Sequence, residues 1–155
     1  LLVHRNIAEE YLPRVADQLQ AHGVEIVGDD ETCRILPGVG RATEEDFAME
    51  FLGPKLSVAI VRSIDEAIDH INRFGPGLWL VRISSEDATA ERFAARVDTA
   101  VVLVNASTRF NDGGELGIGA EIGISTDKLH ARGPCGPREL TTYKYVVTGN
   151  GQTKE

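Results

Sequence analysis

Apolar residues recur at helical spacing near the start of the chain, where Ile7, Tyr11, Leu12, Val15 and Leu19 fall on one side of a helix. Asn6 stands where an N-cap belongs, and Gly23 ends the pattern. Val24 to Val27 reads as a short strand closed by Gly28-Asp29-Asp30. Residues 31–42 read as irregular and glycine-bearing. Thr43-Glu44-Glu45-Asp46 then has the form of a capping box and opens a short helix to about Met49.

From Leu56 the alternation of elements becomes regular. Leu56 to Val61 is rich in apolar and β-branched residues, the signature of a buried strand. Ser63 or Asp65 caps a helix whose buried face is Ile64, Ala67, Ile68 and Ile71, and Gly75-Pro76-Gly77 breaks it. Leu78 to Ile83 is a strand. Ser85 caps a further helix with Ala88, Phe93, Ala94 and Val97 inward, and Ala100 to Val104 is another buried strand. Strand, helix, strand, helix, strand predicts α/β architecture, with three parallel strands and helices on the faces. Ligands of open α/β sheets gather at the carboxyl ends of strands. Two places therefore draw attention: the segment before Leu56 and the one after Val104.

The stretch after Val104 differs from the rest. Asn105 to Gly114 is a polar loop leaving a strand, and three glycines between Glu115 and Ile124 oppose a regular helix. They suit backbone that must approach something closely. Gly133-Pro134-Cys135-Gly136-Pro137 is a stiff connector. Leu140 to Val147, rich in Thr, Tyr and Val, predicts a terminal strand without a partner of its own, an exposed edge that pairing with another subunit would resolve.

Composition narrows the function. A chain of 155 residues, 42% hydrophobic, has the size and the apolar content of one cored domain. Its formal charge of −8 argues against nucleic acid and anionic membrane surfaces, whose binders concentrate Lys and Arg. No apolar run approaches the roughly 18 residues of a membrane span. Two cysteines, Cys33 and Cys135, without Cys-x-x-Cys or paired histidines, predict no metal site. Reduced thiols in an acidic chain suit the cytoplasm. Leu1 to Arg5 is too short for a signal peptide and opens without Met inside an apolar stretch, so the sequence reads as a piece of a longer chain.

The wording from Val104 to Arg132 is specific. Val-Asn-Ala-Ser-Thr-Arg-Phe, Asp-Gly-Gly-Glu, Gly-Ile-Gly-Ala-Glu-Ile-Gly-Ile-Ser-Thr and His130-Ala131-Arg132-Gly133-Pro134, followed by Leu140-Thr141-Thr142-Tyr143-Lys144-Tyr145, closely resemble the gamma-glutamyl phosphate reductase family. The resemblance extends back through Asp65 to Asn72 and to Leu1-Leu2-Val3-His4-Arg5, almost the whole chain. Glu50-Phe51-Leu52-Gly53-Pro54 also resembles the Glu-x-Phe-Gly-Pro motif of the wider aldehyde dehydrogenase superfamily. One stretch departs from the family: Leu78-Trp79-Leu80 stands where a polar, His-containing run is usual.

The resemblance implies a three-layer, parallel-sheet α/β catalytic domain over residues 1–133 and a C-terminal oligomerisation strand and tail over 134–155, giving a homo-oligomer. It implies NADPH-dependent reduction of gamma-glutamyl phosphate to glutamate 5-semialdehyde in proline biosynthesis, through a cysteine thioester. The family's nucleophilic cysteine would lie upstream of Leu1. Glu50 would accept hydrogen bonds from the nicotinamide ribose, with Phe51 beside it. The loop after Val104 would anchor the end of the small-molecule substrate remote from the cysteine, through Asn105, Ser107, Thr108 and the forked guanidinium of Arg109.

Each of these residues has a plainer role open to it. Glu50 also reads as a solvated carboxylate at a helix end, though its motif favours the ribose contact, and Phe51 reads equally as a core aromatic. Arg109 could pair with Asp112 or Glu115, and Glu121 reads as a residue that orients the loop. His130 and Arg132 read as structural, and Cys33 and Cys135 as incidental thiols with no base nearby. Two other activities stay open: a different aldehyde dehydrogenase, in which water resolves the thioester, and a non-catalytic assembly module.

Overall fold

The computed structural model describes residues 1–82 and 86–154, with backbone alone for 79–82. At its centre β4, Lys55–Val61, carries a parallel neighbour on each edge. β1, Leu2–His4, pairs along Ala59–Val61, and β2, Glu25–Gly28, along Lys55–Val58. A two-residue β3, Gly40–Arg41, completes the order β1-β4-β2-β3. Beyond Val58 the side chain of Asp29 continues what β2 began, accepting the Ile60 amide at 2.8 Å. Asp29 also accepts the Thr32 amide at 2.7 Å and so caps α2, Asp30–Ile35. One carboxylate thus satisfies a strand edge and a helix start.

The helix α1, Arg5–Ala21, covers one face of this sheet through Ala8, Leu12 and Ala16, which join Val3, Ile26, Val58 and Ile60 in the main core. The buried face is narrower than the apolar stripe, because two alanines set a close approach to the sheet. Ile7 and Tyr11 remain 53% and 39% exposed on the flank. The cap of α1 is His4, whose ring nitrogen accepts the Asn6 amide, and not Asn6, as the sequence suggests. Residues 31–42 likewise contain a helix, α2, where the sequence suggests irregular chain. It is short and depends on contacts its own residues do not announce: Asp29 caps it, and Thr32 packs so closely under Gly28 that a Cβ there would stand 2.6 Å from Thr32 Cβ.

The expected capping box is present at α3, Glu44–Ala48, where Thr43 and Asp46 exchange hydrogen bonds. On the other side of β4, Ala59 and Val61 are buried, facing a hollow lined by Phe47, His70 and Phe74. His70 and Phe74 belong to α4, Ile64–Phe74, capped by Ser63. Helix, sheet and helix therefore form the layers expected of an α/β domain.

The three strands after residue 55 do not share one sheet. β5, Trp79–Arg82, and β6, Val101–Val104, pair with each other in parallel, as a separate two-stranded sheet. Both edges of β4 are already engaged, so β5 finds no place on it. α5, Asp87–Arg96, joins α4 and β6 in a second core of Ile68, Phe93 and Val97, with Val102 against it. Its inward residues are Ala90, Phe93 and Val97, while Ala88 and Ala94 face out. Glu86 stands at the cap position; Ser85 and Ile83, expected to cap α5 and to end β5, lie outside the described residues.

β7, Gly123–Ser125, and β8, Gly133–Cys135, form an antiparallel pair that the sequence does not announce. Leu140 to Val147, expected as a strand, forms no ladder. A strand exists through its partner, and the described chain offers none. Tyr143, Tyr145 and Val147 are 77%, 84% and 92% exposed.

Candidate functional site

The Glu50–Pro54 motif occupies the irregular link between α3 and β4. Two backbone bonds hold its end: Glu25 donates to the Pro54 carbonyl at 2.8 Å and Lys55 to that of Gly53 at 2.8 Å. Glu50 is exposed and makes no hydrogen bond or ion pair among the described residues. Phe51 is half-buried, whereas Leu52, which holds the place of the aromatic in the Glu-x-Phe-Gly-Pro pattern, is 95% exposed. The ring in this chain thus stands one position early.

Lys55 accounts for the ring's placement, and the sequence reading passed over it. Its ammonium lies 5.1 Å from the Phe51 ring centroid and 3.3 Å from carboxylate oxygens of both Glu25 and Asp46. Hydrogen bonding to Glu25, and then to Asp46, holds Lys55 above the usual lysine range against its own partial desolvation. Asp46 is in turn held below the usual carboxylate range, first by the Thr43 amide and hydroxyl and then by Lys55. The available signal was position: a lysine directly after a Gly-Pro turn, at the entrance to a buried strand, needs a partner.

The second group of predicted residues stands at the carboxyl end of β6. Asn105 takes a positive φ of 53°, a conformation Asn tolerates better than most residues, and so turns the chain sharply out of the strand. Ser107 caps a single 3-10 turn, Thr108–Phe110, by accepting the Arg109 amide at 3.3 Å. Asn105, Ser107, Thr108 and Arg109 are all exposed. Arg109 has no ion pair among the described residues; Asp112, one of the partners open to it, instead accepts the Gly114 and Glu115 amides at 2.8 and 3.4 Å.

The rest of the loop is folded onto itself. Gly113 is buried, and its amide donates to Glu121 Oε2 at 3.1 Å. Leu116 and Ile118 donate to Asp112 and Gly113 carbonyls at 2.9 and 3.0 Å. The Ile122 amide donates to the Cys135 carbonyl at 2.8 Å, which joins the loop to β8. Farther on, Asp98 receives Lys128 and Arg132, whose charges and hydrogen bonds hold its carboxyl below the usual range. Arg132 is thereby a strap between the segment after the loop and the start of β6.

Neither thiol is placed for attack. Cys33 Sγ points at the carbonyls of Gly28 and Gly40, at 3.4 and 3.6 Å, and buried Cys135 at that of Gly133, at 3.4 Å. No basic side chain hydrogen-bonds to either sulfur among the described residues. No group of three or more His, Cys, Asp or Glu side chains forms a metal site among the described residues.

The fold thus gathers the four loop residues within one turn of chain, and sets Glu50 and Phe51 on the approach to a strand of the other sheet. Both groups fall within residues 42–120, half of the chain, which match the description "Aldehyde dehydrogenase family". The chain belongs to the aldehyde dehydrogenase family. Over its whole length it is similar to proteins named gamma-glutamyl phosphate reductase. It is 54% identical over 154 residues to that of Rhodopirellula baltica, covering 99% of this chain and 36% of the relative. It is 54% identical over 155 residues to that of Caldanaerobacter subterraneus, covering 100% and 37%. The crystal structure of gamma-glutamyl phosphate reductase from Thermotoga maritima superposes with a TM-score of 0.95 at 48% identity, over 100% of this chain and 37% of that one. This aldehyde dehydrogenase family chain therefore spans little more than a third of the length of the curated relatives it matches.

Proposed function

We propose that the chain is the part of a gamma-glutamyl phosphate reductase that carries the substrate-anchoring loop and one contact to the cofactor. The reaction is NADPH-dependent reduction of L-gamma-glutamyl 5-phosphate to L-glutamate 5-semialdehyde with release of phosphate, in proline biosynthesis. The observation that carries this reading is 48–54% identity along the entire chain to relatives of that name, sustained across a structure that superposes at 0.95.

The residues fit the groups this reaction presents. Arg109, exposed and without an ion pair among the described residues, offers a planar fork to the α-carboxylate of a glutamyl substrate. Asn105, Ser107 and Thr108 add polar groups on the same loop. Glu50, a free carboxylate, is an acceptor for ribose hydroxyls, and Phe51 gives an apolar face beside it. A nicotinamide cofactor bound there supplies the hydride; NADP is the form this reading assigns. The nucleophilic cysteine comes from residues outside this chain.

Residues 1–133 form the chain's share of the catalytic domain, and 134–155 the oligomerisation strand and tail. The exposed, ladderless row from Leu140 to Val147 is the surface through which copies pair into a homo-oligomer. No helix among the described residues is long and apolar enough to cross a membrane. On this reading the protein works in the cytoplasm on a small molecule, without nucleic acid.

The test uses the full-length polypeptide that carries this segment. It is mixed with glutamate 5-semialdehyde and NADP+, with and without inorganic phosphate, and the absorbance of reduced cofactor is followed. Reduction that requires phosphate is expected, since the reverse reaction consumes it. Reduction without phosphate would mean water resolves the intermediate, as in an aldehyde-oxidising relative. No reduction in either case would point to an assembly role.

A further inference from the structure

Between α3 and β4 the chain runs through residues 49–54 with neither helix nor ladder to hold it. Such a segment is free to sample many conformations unless side chains restrain it. Glu50 and Leu52 restrain nothing, being exposed. Backbone bonds hold its end at Gly53 and Pro54, and the side-chain restraint comes from the residue that ends the link. Lys55 reaches Asp46 on the helix before it and Glu25 on the neighbouring strand, both at 3.3 Å, and lies 5.1 Å from the ring centroid of Phe51 within it. Three elements of its surroundings (α3, the link and β2) converge on one ammonium carried by β4.

We propose that Lys55 is a positioning residue for the nicotinamide nucleotide: it pins the Phe51 ring by a cation–π contact and so holds the Glu50 carboxylate where the ribose is bound. This rests on the cofactor role given above to Glu50 and Phe51. The ring stands one position earlier than in the Glu-x-Phe-Gly-Pro pattern, so it needs an anchor of its own, and Lys55 is the residue that supplies it. The two carboxylates keep the ammonium charged and in place. Asp46 is itself fixed by the Thr43 amide at 2.8 Å, so the chain of restraint ends in a rigid helix cap.

The experiment measures NADPH affinity by nucleotide fluorescence, and separately the KM for cofactor and for acyl phosphate, in the full-length polypeptide and its Lys55→Met, Lys55→Arg, Phe51→Leu and Glu50→Gln forms. Lys55→Met is expected to weaken NADPH binding and raise its KM roughly tenfold, the reach of a partly desolvated cation–π contact, while kcat and the acyl-phosphate KM change less than about twofold. Lys55→Arg restores binding, because the guanidinium keeps both the charge and the ring contact. Phe51→Leu reproduces the loss, and the double variant Lys55→Met/Phe51→Leu adds little to either, since both act through one contact.

A Lys55→Met loss shared equally by both substrates and tracking a fall in thermal midpoint would overturn the proposal in favour of plain stabilisation. Additive losses in the double variant would overturn the route through Phe51. Glu50→Gln separates the two levels of the reading. If it weakens NADPH and Lys55→Met does not, the cofactor site stands and the role of Lys55 falls. If it leaves NADPH binding unchanged, the cofactor site is misplaced and the proposal falls with it.

Discussion

Gly113 and Glu121 meet across the base of the loop that follows β6: the glycine amide donates to Glu121 Oε2 at 3.1 Å, and a Cβ on Gly113 would stand 2.5 Å from the Ala120 carbonyl oxygen. The close approach brings together two arms of chain that have little regular structure to hold them. Gly113→Ala forces the arms apart and, if the proposed reaction holds, is expected to lower kcat/KM for the acyl phosphate by about tenfold or more, a cost typical of overpacking against backbone. Glu121→Gln keeps an oxygen acceptor and should lose about threefold or less. Steady-state kinetics on the full-length enzyme checks both; equal losses would mean the loop is not held in this way.

Arg109 gives a sharper test of substrate recognition. If its guanidinium grips the substrate carboxylate, Arg109→Ala raises the acyl-phosphate KM by about 10- to 100-fold, the worth of a charge-assisted pair, and leaves the cofactor KM unchanged. Arg109→Lys recovers only part of this, because an ammonium cannot make the two-pronged contact. An unchanged KM in Arg109→Ala would remove the residue from the site.

His70 introduces a dependence on pH. It packs edge-on to Phe47 at 5.1 Å and against Phe74 at 4.8 Å. Burial among these rings pushes its imidazole below the ordinary value of 6.5; Arg73 pushes the same way, opposed by Asp29 and Glu66. The folded form therefore binds this proton less readily than the unfolded form. Stability is full above about pH 6.5 and falls as pH drops below it, towards the lower folded value. His70→Phe keeps the aromatic packing and removes the titration. Urea midpoints between pH 8 and pH 5.5 should fall less in the variant than in the parent; parallel curves would exclude His70 as the cause.

The double use of the Asp29 carboxylate predicts an unequal pair of variants. Asp29→Ala removes a helix cap and strands the Ile60 amide inside the sheet, with a cost of about 2–4 kcal/mol. Asp29→Asn retains one acceptor oxygen, enough for either amide but poorly suited to both, and costs roughly half as much. Denaturant titration distinguishes these from a surface residue, whose loss changes stability by about 0.5 kcal/mol or less.

How much of this could be read from the sequence follows the range of the interactions. The capping box at Thr43–Asp46, the Ser63 cap and the buried run Val58–Val61 are written in neighbouring residues, and their elements stand where the pattern places them. The helix α2 was missed because its stability comes from Asp29 and from Thr32 beneath Gly28, contacts that look like turn chemistry in one dimension. The pairing of β5 with β6 instead of β4 depends on β1, more than fifty residues away in sequence, having already occupied an edge. The polar loop after Val104 stands at the carboxyl end of β6, where the sequence places it. Lys55 was not, since its significance lies in Glu25 and Asp46, which reach it from different elements.

The central strand has a further consequence for how the protein can be enlarged. With β1 and β2 on either side of β4, and Asp29 closing the gap past Val58, the interior of the four-stranded sheet is a full row with no vacancy. Any additional strand, whether from elsewhere in the same polypeptide or from a second copy, can enrol only at the two ends of the row. The β3 end offers Gly40 and Arg41; the β1 end offers Leu2 to His4. Growth of this sheet is therefore lateral, at the free edge of β1 or of β3.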